Sequence, residues 1–237
     1  MITANEFANR FSSLWRELTP NSERVVRRLN LAVERYFDPL EGNSIPTRHA
    51  LINEIGFELS RGLSINGWPP ENFSPHEVPD EKYEIVRDRL MNLAGVAAED
   101  LAPLSGDEEG EALDLCYRII HFFANVLHSR PDFFPNFPGC GFLYPSQGDI
   151  RTETTLFEVK SGERQFRSPD LRQLLVYSAA NFAAKGSFVR EIGLLNPRMG
   201  TYFVWDLRAV CFELGGFSPQ ELFEQIIYHV SSGSISR

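Results

Sequence analysis

Residues 129–141 read SRPDFFPNFPGCG, and the hydrophobic period of the chain changes across them. Pro131, Pro135 and Pro138 exclude both a continuous helix and a central strand from this stretch. Before it, apolar residues recur at helical spacing. Phe7, Phe11, Leu14, Trp15 and Leu18 make one such run; Val25, Val26, Leu29 and Val33 make a second within 22–37. Leu51, Ile55 and Leu59 mark a third over 47–62, and the pattern resumes over 81–94. A helix over about 109–128 follows, with Leu113, Cys116, Ile120, Ala124 and Leu127 as its apolar stripe. After the break, segments 154–160, 190–196 and 201–207 are rich in β-branched and aromatic residues and read as strands. Between the first two lies SPDLRQLLVYSAANFAAK, which reads as a helix with Ser168 as N-cap, Pro169 in the first turn and Asp170 at the positive end of the dipole. Ser218, Pro219 and Glu221 open a last helix in the same way.

These patterns predict an α/β chain: a mixed β-sheet core flanked by helices, with a helical module in front. The acidic stretch APLSGDEEGE places the expected boundary between a helical module with its connector, 1–105, and the core, 106–237. The net charge is -9, yet it is uneven. Residues 61–120 carry 5 basic and 13 acidic side chains, while 121–237 carry 11 of each. The C-terminal half is therefore free to present a local basic face to nucleic acid. No stretch approaches the roughly 18 apolar residues of a membrane span. The start MITANEFANRF lacks a basic segment followed by an apolar one. Three cysteines without a CxxC pair read as reduced thiols. A cytoplasmic location without membrane contact is expected. His121 and His128 read as flank or core histidines, and no GxSxG, HExxH, GxxxxGK[ST] or GxGxxG occurs.

Residues 148–160, GDIRTETTLFEVK, carry the chemistry. In a strand over 155–160, Phe157 and Val159 share one face and Glu158 and Lys160 the other. An antiparallel turn back from 148–151 would bring Asp149 to Glu158. Two carboxylates suit Mg²⁺, for which Mn²⁺ can substitute, and such an ion also grips a phosphate. Lysine suits a water-positioning role because its pKa shifts readily, and this chain has only three lysines among its 23 basic residues. A cross-strand ion pair on a solvated sheet face would produce the same triplet.

Gly148-Asp149, the eight-residue gap, Glu158-Val159-Lys160 and the following helix together resemble the PD-(D/E)XK nuclease superfamily, the restriction-endonuclease-like fold. Gln173 and Tyr177 resemble the Gln-xxx-Tyr element of its exonuclease-like branch. The resemblance covers about residues 110–207. It implies an order of helix, three strands, helix, strand, and metal-dependent phosphodiester hydrolysis, with DNA favoured over RNA. It casts Asp149 and Glu158, helped by the Val159 carbonyl, as metal ligands, Lys160 as the residue that positions the attacking water, and Gln173 as support. The family's first helix often carries a further acid. The candidates are Glu111 and Asp114, or Glu54 and Glu58 upstream, and Glu111 is preferred because its helix directly precedes the sheet. The only candidate for the first core strand is GFLY, 141–144. Arg164, Arg167 and Arg172 are the expected phosphate contacts. A role in bacterial phage defence or restriction follows by analogy. The competing reading is a non-catalytic scaffold that binds a protein partner, or a second copy of itself, through the N-terminal helices.

Overall fold

A computed structural model of the chain describes residues 1–42, 44–71, 75–92 and 96–232. Helices α1 (Ala4–Arg10), α2 (Ser12–Leu18) and α3 (Ser22–Ala32) lead into the short strand β1 (Glu34–Arg35). Then come α4 (His49–Ile65), α5 (Asp80–Met91) and α6 (Gly106–His121). Short strands β2 (Asp132–Phe133), β3 (Asn136–Phe137), β4 (Ser146–Gln147) and β5 (Ile150–Arg151) precede β6 (Thr155–Val159). The remainder is α7 (Ser168–Lys185), β7 (Glu191–Asn196), β8 (Thr201–Asp206), α8 (Leu207–Gly215) and α9 (Pro219–Ser232).

Six strands form one mixed sheet in the order β1-β8-β7-β6-β5-β2, and β3 and β4 pair separately. The β5–β6 pairing is antiparallel, with Ile150 opposite Phe157 and Arg151 opposite Leu156. α7 crosses from β6 to β7, which are parallel, and β8 returns antiparallel. Where β6 meets β7, Phe157 faces Gly193. A Cβ at Gly193 would lie 2.2 Å from the Phe157 ring, so only glycine admits that ring between the strands.

Helices cover both faces. On one, Phe7, Trp15 and Leu29 of α1–α3 meet Leu174 of α7 and Phe223 of α9 over Leu156 and Ile192 of the sheet. On the other, Phe57 of α4 and Ile119 of α6 close over Ile150, Phe157 and Leu195. Ile55 of α4, Val86 of α5 and Leu115 of α6 form a further apolar cluster beyond them. The first 105 residues thus contribute to both outer layers, and the core runs through the expected 105/106 boundary. α7 is buried on two sides, as its two apolar stripes predict. Among the described residues, no helix is long and apolar enough to cross a membrane. The three cysteines are unpaired.

Several local expectations are corrected. The first helical run breaks at Phe11, because the Trp15 indole N–H donates to the Phe7 carbonyl at 2.8 Å. A continuous helix would give that carbonyl to the Phe11 amide. The run over 22–37 ends at Ala32, since Glu34 and Arg35 pair with β8. The 81–94 run is helical from Asp80 to Met91, and its last two positions lie outside the described residues. α6 begins at Gly106, capped by Ser105 and Glu108, and passes at Phe122–Val126 into a wider π-type turn. Because α4 and the sheet cover α6 from different sides, its buried face is Leu115, Cys116, Ile119 and Ile120; Leu113, Ala124 and Leu127 are only partly buried. Asp132–Phe133, not residues 141–144, pairs with β5, on the edge of the sheet where prolines are tolerated. Leu143 makes only isolated bridges, to Ile2 and Cys140. The N-cap of α7 is Arg167, while the Ser168 hydroxyl donates to Glu23 at 2.6 Å. α8 follows β8 directly, opened by Asp206, whose side chain accepts from the Ala209 N–H at 3.0 Å.

Candidate active site

β6 ends where the expected residues converge. Glu158 is 1 % exposed and lies in the last turn of the pleat before Lys160. The Lys160 ammonium donates to Glu158 Oε1, and its backbone N–H donates to the Leu195 carbonyl of β7 at 2.8 Å. Asp149, just before β5, lies across from them, and its Oδ2 accepts the Val159 N–H at 2.6 Å. Glu158 Oε2 is buried and has no hydrogen-bond partner among the described residues. On α7 the Gln173 amide donates to the Tyr177 hydroxyl at 2.8 Å, and its Oε1 lies 3.5 Å from Lys160 Nζ. The Tyr177 ring stacks on Phe137 with centroids 5.0 Å apart, which fixes this second layer.

A cleft of about 480 Å³ opens beside these groups, at the carboxyl end of β6. Glu54, Asp149, Val159, Lys160, Gly162 and Arg164 are among its lining residues. In parallel sheets this end is where ligands bind.

The electrostatics follow from burial. Desolvation raises the Glu158 carboxyl well above its ordinary value, and the charge of Asp149 raises it further. Desolvation also raises Asp149, against the opposing pull of Lys160 and the Val159 N–H. Desolvation raises Glu54 too, and Asp149 adds to the rise while Arg89 opposes it. For Lys160, desolvation lowers the pKa, but the charges of Glu158 and Asp149 outweigh it and the net shift is upward. In this arrangement the Lys160 amine is a hydrogen-bond donor to Glu158.

The structure separates the other expected residues. Glu111 does not reach the cleft. Its carboxylate accepts from the Ser44 N–H at 3.0 Å, the Ser44 hydroxyl at 2.7 Å and Arg198 at 3.0 Å. Arg198, 1 % exposed, also donates to Asn53 Oδ1 at 3.1 Å and to the Ser161 carbonyl at 3.2 Å. Glu111 thus anchors the loop after Lys160 through Arg198. Glu54 is the upstream acid that lines the cleft, three turns of helix ahead of the end of α4. Its signal was its position on the helix that packs over Phe157, which the order of elements in the sequence does not reveal. Glu58 is fully buried and is held by Arg61, Lys82 and Arg89. Arg164 lines the cleft but forks onto Asp170 at 2.8 and 2.9 Å. Arg167 is exposed and is not among the lining residues. Arg172 turns away: its guanidinium donates to Ser22 at 3.3 Å and lies 5.6 Å over the Trp15 ring.

Among the described residues, no group of three or more His, Cys, Asp or Glu gathers as a ready-made metal cage. Mg²⁺ does not require one, because it binds through one or two carboxylates and keeps several waters. Two adjacent buried carboxylates, one with an orphaned oxygen, fit such an ion. Comparison of the chain with protein-family models, with curated proteins and with solved structures finds no match.

Proposed function

We propose that the chain is a Mg²⁺-dependent nuclease that hydrolyses phosphodiester bonds, with DNA as substrate and a restriction-endonuclease-like core. The observation that carries this reading is the meeting of Asp149, Glu158 and Lys160 beside an open cleft, with Glu158 Oε2 buried and unpartnered. The element order supports it as well: α6, then β2, β5 and β6, then α7 and β7 follow the helix, three strands, helix, strand sequence implied by the resemblance.

Asp149 and Glu158, with the Val159 carbonyl, would hold the ion, and Glu54, which lines the same cleft and feels the Asp149 charge, would bind one of its waters. When bound, the ion stabilises charge on the phosphodiester and lowers the pKa of a water. Lys160 keeps its proton next to Glu158 and directs a donor toward the attacking water. Gln173 and Tyr177 hold the amine in place from behind. Arg164, kept in orientation by Asp170, presents part of its guanidinium to the substrate phosphate.

The test is nicking of supercoiled plasmid with Mg²⁺ or Mn²⁺ by the wild type and Lys160→Ala. Metal-dependent nicking that disappears in Lys160→Ala supports the reading. A wild type that cuts neither DNA nor RNA in either metal overturns it and favours the scaffold.

A further inference from the structure

A second groove, of about 560 Å³, lies at the far end of α4 from the cleft. Its walls include Arg61 and Ser64 of α4, Arg130 ahead of β2, and Arg151 and Thr152 at the end of β5. Arg130 is exposed and Arg151 half-buried, and neither guanidinium has a hydrogen-bond or ion-pair partner among the described residues. Arg61 spends Nε and Nη2 on Glu58 and keeps Nη1. Two exposed carboxylates, Asp132 and Glu153, also line the groove. Arginines left without partners beside a groove are matched to phosphate, which takes their planar donors in pairs.

The groove and the cleft share their scaffolding. α4 carries Glu54 at the cleft and Arg61 at the groove, seven residues or about 10.5 Å apart along the axis. Asp149 and Arg151 stand two residues apart, about 6.8 Å along an extended chain. Successive phosphates of one DNA strand advance about 3.4 Å along the duplex axis. Both separations are short enough for one duplex to touch groove and cleft at once. Glu58 ties the sites together, since it binds Arg61 of the groove and also Arg89, which pairs with Glu54 of the cleft at 3.2 Å.

We propose that Arg61, Arg130 and Arg151 grip the backbone of duplex DNA a few phosphates from the scissile bond. This rests on the nuclease reading of the cleft for its position relative to the cut. A grip on phosphates alone would add affinity without sequence preference.

The test is anisotropy of a labelled 20-base-pair duplex in EDTA across a salt series. Arg130→Ala with Arg151→Ala is compared with wild type and with Arg24→Ala, an exposed change on α3. Each lost phosphate contact lowers the slope of log K against log salt by about 0.9. The double variant is expected to lose about 2 from the slope and about 10-fold in affinity near 0.1 M salt, and Arg24→Ala neither. Arg130→Ala alone, at an exposed position that leaves the fold intact, is expected to lose about 1. Unchanged slopes, or a wild type that does not bind the duplex, overturn the proposal. Nicking by the wild type in Mg²⁺ is scored separately. Nicking with unchanged slopes leaves the hydrolase and sinks the groove, whereas reduced slopes without nicking sink the hydrolase and keep the groove as a duplex-binding surface.

Discussion

The Val159 amide donates to Oδ2 of Asp149 at 2.6 Å, across the end of the β5–β6 pair. This bond turns the Asp149 carboxylate toward Glu158 rather than into solvent. It makes the two acids one electrostatic unit, with Lys160 as the one basic side chain bonded to Glu158 among the described residues.

That unit has a stability signature. Both carboxyls are raised in the folded protein, so the native state binds more protons than the unfolded chain above the ordinary carboxyl range. Metal-free stability therefore falls as pH rises through that window. Glu158→Gln is expected to raise the melting temperature in EDTA at pH 7. Mg²⁺ at ten times its Kd should stabilise the wild type by about 1.4 kcal/mol and Glu158→Gln by almost nothing. Differential scanning fluorimetry with and without Mg²⁺ reads both; a lower melting temperature for Glu158→Gln in EDTA contradicts the account.

On the proposed nuclease reading, Lys160→Ala is expected to lower kcat by at least about 10²-fold, because it would remove a donor to the attacking water. Lys160→Arg keeps the charge but not the compact head, and should recover little of that loss. Recovery to near wild-type rate by arginine would reduce Lys160 to a simple counter-charge.

Of the candidate upstream acids, Glu54 lines the cleft, whereas the preferred Glu111 is tied to Arg198. Glu111→Gln should weaken the Arg198 anchor and cost stability while leaving metal affinity unchanged. Arg198→Met should cost about 3–5 kcal/mol, since it strands a buried carboxylate. Glu54→Gln should shift the Mg²⁺ concentration needed for activity with little loss of stability. Denaturant melts and metal titrations of the three variants separate the roles.

The Arg48–Glu108 pair sets an acid limit. The Arg48 guanidinium beside it, then the Ser105 N–H, hold Glu108 down at about 2. A depressed carboxyl adds stability above its ordinary value and loses it as pH falls toward about 2. The wild type should exceed Glu108→Gln by on the order of 1–3 kcal/mol at pH 6, with the gap closing by pH 2 in urea melts.

Gly193→Ala should destabilise by about 1–3 kcal/mol, because the Phe157 ring already occupies the space of a Cβ. Since Phe157 adjoins Glu158, the variant is also expected to lower nicking activity. Unchanged melting would show that the ring can move aside.

The strands around the acids were legible because alternation and β-branching mark β6, β7 and β8 directly, and the pairing of 148–151 with 155–160 follows from a short turn. α7 was legible through Pro169, Asp170 and its two apolar stripes. β2 was not, because two residues between prolines carry no period; only tertiary pairing makes them a strand. α8 was hidden because it follows β8 without a break, with Asp206 serving as both last strand residue and cap. Glu111 was expected at the cleft for a similar reason. Sequence order puts Glu111 next to the sheet, but packing puts α4 over Phe157 and buries Glu111 against Arg198.

The joining of α1–α3 to the last two helices sets the timing of biosynthesis. The Asn21 N–H bonds the Leu214 carbonyl at 3.1 Å, between residues far apart in sequence. At about 5–20 residues per second, the ribosome delivers that partner roughly 10–40 s after Asn21. Until α7, and then α8 and α9, emerge, Phe7 and Trp15 lack the side chains that close over them, so a nascent chain stalled short of α7 would expose a greasy surface to chaperones and proteases.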